Sequence, residues 1–201
     1  FEGRMVQSHY QLFNTLQLSY EDMESILKPS LDYISAIRKD PAVLRYEIKY
    51  PFDDEKEWGA LESKNEIIFK LLGINDKFAQ TKMYYDFRDD LIKGELRNLK
   101  RGHVLINGNY STLMGNGIEM LKEAIGTFDG KSTLNPREIQ STRFPYGTEL
   151  LCSRSPHICA GNVMLVNNAA NKLFDEYFNL TPELVCINAV NYNIQQRLNG
   201  C

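Results

Sequence analysis

Residues 150–166 read LLCSRSPHICAGNVMLV, and this stretch decides how the second half of the chain folds. Two apolar runs of strand length flank a short segment containing Ser, Arg, Pro and His. The pattern predicts a strand, a tight polar turn and a second strand. Because the ring of Pro156 clashes with an α conformation at Ser155, we expect Arg154 at a strand end on a stiff, extended segment.

Arg154 has two interpretations from its chemistry. An arginine that precedes a proline after a strand is most often a solvated turn residue. A guanidinium held in place there also offers five donors in a planar fork, which suits a phosphate or the edge of a ribose. Both interpretations stay open until more of the chain is considered.

Around this stretch, residues 101–201 contain several other short apolar runs separated by Gly, Asn and Pro. Short strands with few helices between them predict a compact barrel or a mixed sheet. The predicted strands are residues 103–107, 138–144, 149–152, 183–190 and 193–198, and the predicted helices are residues 118–125 and 171–178.

Residues 1–100 instead show helical periodicity. Ser19 and Asp22 predict a capped helix start, and Pro29 is expected to end that helix or to begin the next one. Gly73 predicts the end of a helix over residues 61–72. Residues 42–50 fit a strand in part, and residues 76–100 form one long helix or two. The fold class is therefore α+β, with a helical region over residues 1–100 and a β-rich region over residues 101–201.

The end of the last predicted helix is basic, with Lys93, Arg97, Lys100 and Arg101. Cations at a helix C-terminus are favoured by the helix dipole alone, by about 0.3–1 kcal/mol each. The alternative is a basic edge that follows a nucleic-acid backbone. On that alternative these four residues are the candidate nucleic-acid-binding residues.

Composition limits the class of protein. A net charge of −3 argues against a chain that coats nucleic acid by bulk electrostatics. With no apolar run near the roughly 20 residues that span a bilayer, we expect a soluble, cytoplasmic protein without a membrane partner. The four cysteines form no C-x-x-C pair, which favours free thiols over a disulfide framework or a zinc site.

Three short elements occur in an informative order: Arg154-x-Pro156, then Gly161-Asn162-Val163, then Leu198-Asn199-Gly200-Cys201. Together they resemble the catalytic double-psi β-barrel of the two-barrel RNA polymerases. That family comprises the largest subunit of the cellular enzymes, the RNA-dependent polymerases of RNA silencing, and single-chain relatives from phages. Asn162 stands where the silencing and phage branch usually has Asp.

The resemblance implies an incomplete double-psi barrel and roles for two residues. Arg154 would contact the ribose hydroxyl of the nucleotide or the 3′ end of the RNA, and Pro156 would fix the arginine backbone. His157 lies beside them, but the motif assigns it no role. The nucleic-acid template, DNA or RNA, and the nucleoside triphosphates would be bound by the full-length parent.

In that family a loop with three aspartates binds magnesium just after the position of Cys201. No Asp-x-Asp-x-Asp occurs in the 201 residues. Since phosphoryl transfer needs metal to neutralise phosphate charge, the resemblance implies Mg²⁺ in the full-length parent and none bound to this chain. This chain would be a fragment that is inactive alone.

A second hypothesis is a non-catalytic module that binds protein or nucleic acid. Its surface anchors would be Tyr84, Tyr85, Phe87 and Trp58, although aromatic residues are more often part of the core. A hydrolase using Cys152 or Ser153 is set aside, because no G-x-S-x-G turn is present. Under either hypothesis, an incomplete barrel exposes a sheet edge, which favours a homodimer.

Overall fold

The computed structural model describes residues 5–48, 63–154, 160–188, 190 and 198. Its helices are α1 (Tyr10–Thr15), α2 (Tyr20–Lys39), α3 (Pro41–Ile48), α4 (Lys64–Ile74), α5 (Lys82–Lys100), α6 (Gly117–Ala124) and α7 (Lys172–Tyr177). Its strands are β1 (Met5–Gln7), β2 (Leu105–Asn107), β3 (Thr112–Met114), β4 (Glu138–Gln140), β5 (Glu149–Ser153), β6 (Val163–Asn168) and β7 (Leu184–Ile187). The chain forms two units, residues 18–105 and residues 1–17 with 106–201. The boundary predicted between residues 100 and 101 stays a prediction.

Helix α2 begins as the sequence predicts but runs past the expected break. The Ser19 side chain accepts a hydrogen bond from the Asp22 N–H, and the Asp22 carboxylate accepts one from the Ser19 N–H. Pro29 lies inside the helix, so the prediction that it ends or begins one is wrong. The buried Ile34 and Ile37 follow Pro29 and join the apolar core of the helical unit. The burial of these residues stabilises α2 by more than the loss of the hydrogen bond that Pro29 cannot donate.

Two further helical predictions are corrected. Residues 42–50 are ambiguous and fit a strand only in part; the described ones, residues 42–48, belong to helix α3, whose Leu44 and Ile48 are buried. Helix α4 continues through Gly73 and ends at the cap residue Asn75, so Gly73 does not stop it. In this unit, α2, α3, α4 and α5 pack around one apolar core. That core contains Ile34, Ile37, Leu44, Ile48, Ile68, Phe69, Leu72, Tyr84, Phe87 and Ile92.

The segment before α5 consists of two helical pieces. A 3₁₀ turn covers Asp76–Gln80, and α5 then starts with Thr81 as its N-cap. Of the proposed aromatic anchors, Tyr84 and Phe87 are buried in the core, whereas Tyr85 is 43% exposed. Trp58 lies outside the described residues. The structure therefore removes Tyr84 and Phe87 from the candidate surface anchors.

The second unit is built on a five-stranded mixed sheet in the order β3-β7-β4-β6-β5. Strands β3 and β7 are parallel, as are β4 and β6, whereas β4–β7 and β5–β6 are antiparallel. The sheet curls into a half-barrel, so the predicted α+β fold with an incomplete barrel is confirmed. Among the described strands, β3 and β5 are the edges of this sheet. The homodimer through these edges stays a prediction.

Strand β4 is shorter than predicted. It ends at Gln140 because the next residue, Ser141, gives its N–H to the Asn168 side chain at 2.9 Å instead of to a neighbouring strand. Two small cores flank the sheet, one around Ile139, Met164 and Val166 and another around Phe174 and Cys186. The predicted strand over residues 193–198 lies outside the described residues except Leu198, which is buried.

Candidate functional site

Arg154 lies at the end of the hairpin that the sequence predicts. Strand β5 pairs with β6 in antiparallel register, from Glu149 opposite Asn167 to Ser153 opposite Val163. Arg154 follows the last of these pairs directly, and its side chain is exposed. The Arg154 guanidinium therefore lies at the turn end of the β5–β6 hairpin. No other described residue pairs with the Arg154 side chain.

Strand alternation explains how the ribbon is held. Leu150 and Cys152 of β5 face the core with Met164 and Val166 of β6. The intervening Leu151 is 46% exposed and faces away from that core. One apolar face therefore anchors β5, while its end and its outer face are accessible. Pro156 and His157, predicted to fix and to flank Arg154, lie outside the described residues.

The cysteine near Arg154 does not supply a thiolate. Burial raises the pKa of the Cys152 thiol to about 11, so the thiol is protonated at neutral pH. Cys186 is completely buried, and burial likewise raises its pKa to about 11. Both are free thiols that pack as small apolar side chains. A protonated Cys152 does not support a thiol hydrolase.

Asn162 is the residue for which the resemblance predicts an acid in the silencing and phage branch. It closes the 3₁₀ turn Ala160–Asn162 just before β6 and is only 3% exposed. A buried amide at this position avoids the cost of desolvating a carboxylate.

The basic residues at the end of α5 lie on one side of that helix. Lys93, Arg97 and Lys100 are exposed and line a shallow depression of about 630 Å³ with Asp90 and Leu96. Lys93 forms an exposed ion pair with Asp90, at 3.2 Å between Nζ and Oδ1. Such a pair contributes little to stability and leaves the cation accessible.

Arg101 differs from the other three predicted residues. It is the C-cap of α5, where its backbone N–H donates to the carbonyls of Arg97 and Asn98 at 3.2 and 3.0 Å. Its side chain is exposed, but it is not among the described residues that line the depression. The structure thus brings together three of the four predicted nucleic-acid-binding residues. Nothing in the structure tests their predicted role.

A second depression, which the sequence did not predict, adjoins the first. It measures about 330 Å³ and shares Lys93 and Leu96 with its neighbour. Arg38 from the end of α2 and Arg88 from α5 add two cations to it. Arg88 reaches across to the Arg38 carbonyl at 3.4 Å and lies over the Tyr85 ring at 5.0 Å. Arg38 reaches this surface only because α2 packs against α5.

Two polar clusters, in which only Gln140 is fully buried, were not predicted from the sequence. In the sheet unit, the Gln140 amide donates to the Tyr146 hydroxyl, which donates to Asp175, each at 2.8 Å. In the helical unit, the Tyr33 hydroxyl donates to Glu47, and burial with the nearby Glu47 charge raises the pKa of Glu95. A tyrosine and an acid far apart in sequence give no local signal of such a contact.

The described residues do not fit a magnesium site. No three His, Cys, Asp or Glu side chains lie together among them as a metal ion would require. The described residues therefore offer no such group for the magnesium implied for the full-length parent, and we derive no step through it. No helix in the described part of the chain is long and apolar enough to cross a bilayer.

Comparisons with known proteins add no relative. No protein-family model matches the chain, and no curated protein or solved structure is significantly similar to it. A function can therefore be proposed only from the residues and the geometry described above.

Proposed function

We propose that this chain is part of a cytoplasmic, templated RNA polymerase, and that its β-rich unit contributes the first strands of the nucleotidyl-transfer barrel. One observation carries the proposal. Arg154 is exposed at the end of β5 in a curled sheet, at the position where the Arg-x-Pro element requires a ligand-binding arginine. The motif order and the half-barrel support the same proposal independently of each other.

Within this proposal the residues of the chain bind and orient. The Arg154 fork donates to a ribose hydroxyl or to the 3′ end of the growing RNA. The paired strands β5 and β6 end at the residue before Arg154 and limit the freedom of its backbone, so binding of the guanidinium costs mainly side-chain entropy. The metal that supports transfer is bound by the full-length parent, which also binds the template and the nucleoside triphosphates.

The test uses the complete product of the gene and a primer-extension assay with DNA and RNA templates, all four nucleoside triphosphates and magnesium. Arg154→Ala should lower nucleotide incorporation at least about tenfold, because a hydrogen bond to a charged group contributes roughly 1.5–3 kcal/mol. Its melting temperature should equal that of the wild type, since Arg154 is exposed.

Arg137→Ala is the matched control. Arg137 is also exposed, and its carbonyl accepts from the Asn167 N–H at the other end of β6 from Arg154. This variant should retain full incorporation. If Arg154→Ala matches Arg137→Ala, the role of Arg154 is wrong. If the wild type extends no primer on either template, the polymerase proposal fails and the non-catalytic interaction module replaces it.

A further inference from the structure

One face of the helical unit carries several basic side chains along a continuous surface. The two depressions on α5 share Lys93 and Leu96, so they form one groove, which we call the α5 groove. Its cations are Arg38, Arg88, Lys93, Arg97 and Lys100. Its floor is apolar, with Ile92 and Leu96 between the charged side chains.

The charge of the groove is not neutralised by its own acids. Asp89 pairs with Arg88 at 2.8 Å, and Asp90 pairs with Lys93 at 3.2 Å. Among the described residues, no carboxylate pairs with Arg38, Arg97 or Lys100. The groove is thus locally basic on a chain whose net charge is −3. Such a local field attracts a polyanion that the rest of the chain repels.

Helix-dipole compensation does not account for the whole groove. Arg97 and Lys100 lie in the last turn of α5, and Arg38 lies in the last turn of α2. Arg88 and Lys93 lie in the middle of α5, where the dipole contributes nothing. These two residues join the two helix ends into one row of cations.

The distance between cations in that row is comparable with the distance between phosphates of a nucleic acid. Lys93 and Lys100 are seven residues apart, which is about 10.5 Å along a helix. In a B-form duplex, each strand advances about 3.4 Å along the helix axis per phosphate, so this interval corresponds to about three phosphates. Arg38, Arg97 and Lys100, with which no described carboxylate pairs, then face a strand whose every phosphate can accept hydrogen bonds.

We propose that the α5 groove binds the phosphate backbone of a nucleic-acid strand, independently of base sequence. The proposal adds Arg38 and Arg88 to the residues predicted from sequence and leaves Arg101 outside the groove. It concerns residues 18–105 and does not depend on the polymerase proposal. The groove binds nucleic acid even if the sheet unit has no catalytic role.

The experiment measures binding of the purified chain to a fluorescently labelled, mixed-sequence 20-nucleotide RNA by anisotropy, between 50 and 200 mM NaCl. Three to five phosphate contacts on a single strand predict a slope of about −2 to −3.5 for log K against log salt. The triple variant K93A/R97A/K100A should weaken binding at least about tenfold at 50 mM NaCl and flatten the slope by about 2. Arg38→Ala alone should flatten it by about 0.7.

The matched control removes the same charge elsewhere on the helical unit. Lys28, Lys77 and Lys82 are exposed, and the variant K28A/K77A/K82A should bind RNA within about twofold of the wild type. Circular dichroism of both triple variants should match the wild type, since all six side chains are exposed. If K93A/R97A/K100A does not fold, the single variants Arg38→Ala and Lys100→Ala decide the result by the same slope measurement.

Three outcomes overturn the proposal. Equal weakening by both triple variants would show an effect of bulk charge. Unchanged affinity and slope in the groove variants would show that the groove is not the binding surface. Equal affinity for a 20-residue poly-glutamate peptide, with the same loss in the groove variants, would assign the groove to acidic peptides instead.

Discussion

The two units of this protein differ in how many buried polar side chains they contain. In residues 18–105 the described ones are Ser30 and Glu66. Glu66 accepts from the N–H of Ser63 three residues away, and Ser30 accepts from the N–H of Leu105, 75 residues away, at 2.8 Å. In the sheet unit, buried amides bond across long distances in sequence. Asn168 joins Ser141, 27 residues away, and Asn188 donates to the Leu134 carbonyl 54 residues away, at 2.6 Å.

This difference shows where each unit is vulnerable. Apart from the contact between Ser30 and Leu105, the helical unit is held by an apolar core and by local caps, so the loss of most of its polar contacts affects one helix end. The sheet unit has two small cores, and its loops depend on single amide side chains. When such an amide is removed, buried backbone groups lose their only partners. The largest effects of polar substitution should therefore occur in the sheet unit.

The strongest test of the comparison is Asn168→Ala. Asn168 is completely buried, accepts from the Ser141 N–H at 2.9 Å, and donates to the carbonyls of Ser141 and Phe144 at 3.0 and 2.8 Å. Each buried group left unpaired costs about 1–3 kcal/mol. We expect the free energy of unfolding of the sheet unit to fall by roughly 3 kcal/mol. Urea denaturation with hydrogen exchange at residues 139–168 measures it.

Asn167→Ala is the control for that substitution. Asn167 is the exposed neighbour of Asn168 on the same strand, and its contact with Arg137 uses only its backbone N–H. Its replacement should change the free energy of unfolding by less than about 0.5 kcal/mol. Similar losses in both variants would mean that strand propensity, and not the amide network, is responsible.

The sequence predicted the structural features that depend on residues close together in the chain. Ser19 caps α2, β5 and β6 form the hairpin around Arg154, and Lys93, Arg97 and Lys100 share one face of a helix. Each follows from residues within about a dozen positions of each other.

What the sequence could not predict depends on tertiary contacts. Pro29 and Gly73 are helix breakers by local rules, yet packing keeps both inside helices. The early end of β4 depends on Asn168, which is 27 residues from Ser141. The contribution of Arg38 to the α5 groove depends on where α2 packs. Single-residue propensities carry no information about such partners.

Gly73 and Gly94 of the helical unit have different surroundings, which local sequence does not predict. A Cβ atom added at Gly73 would lie 2.7 Å from the Arg45 guanidinium, whereas one added at Gly94 would meet no atom within 4 Å. Arg45 donates to the Phe69 carbonyl at 3.3 Å and lies 4.3 Å from the Phe69 ring centre. Gly94→Ala should stabilise the unit by about 0.5–1 kcal/mol, through helix propensity alone.

Gly73→Ala should not give that gain. The methyl group displaces the Arg45 side chain, and the lost hydrogen bond costs about 0.5–1.5 kcal/mol, which cancels or exceeds the gain in propensity. Thermal unfolding of both variants measures the difference. Equal stabilisation by both would show that Arg45 moves without loss, and Gly73 would then have no tertiary role.

The smallest expected effect concerns the partly buried acid in the helical unit. Burial, together with the Glu47 charge, raises the pKa of Glu95, while a hydrogen bond with Asn98 opposes the shift. In the folded chain Glu95 thus keeps its proton at a pH where the unfolded chain has lost it. The folded state then binds more protons, so stability falls as the pH rises from the unfolded pKa through the folded pKa.

Glu95→Gln removes this dependence, because the amide carries no charge at any pH. The variant should be more stable than the wild type at pH 7, and the difference should shrink towards zero at about pH 3, below the unfolded pKa, where the wild-type carboxyl is protonated in both states. Urea denaturation of both proteins at several pH values measures it, with the exposed Glu24→Gln in α2 as the control. A stability difference that stays constant with pH would mean that packing around Glu95, and not its ionisation, distinguishes the two proteins.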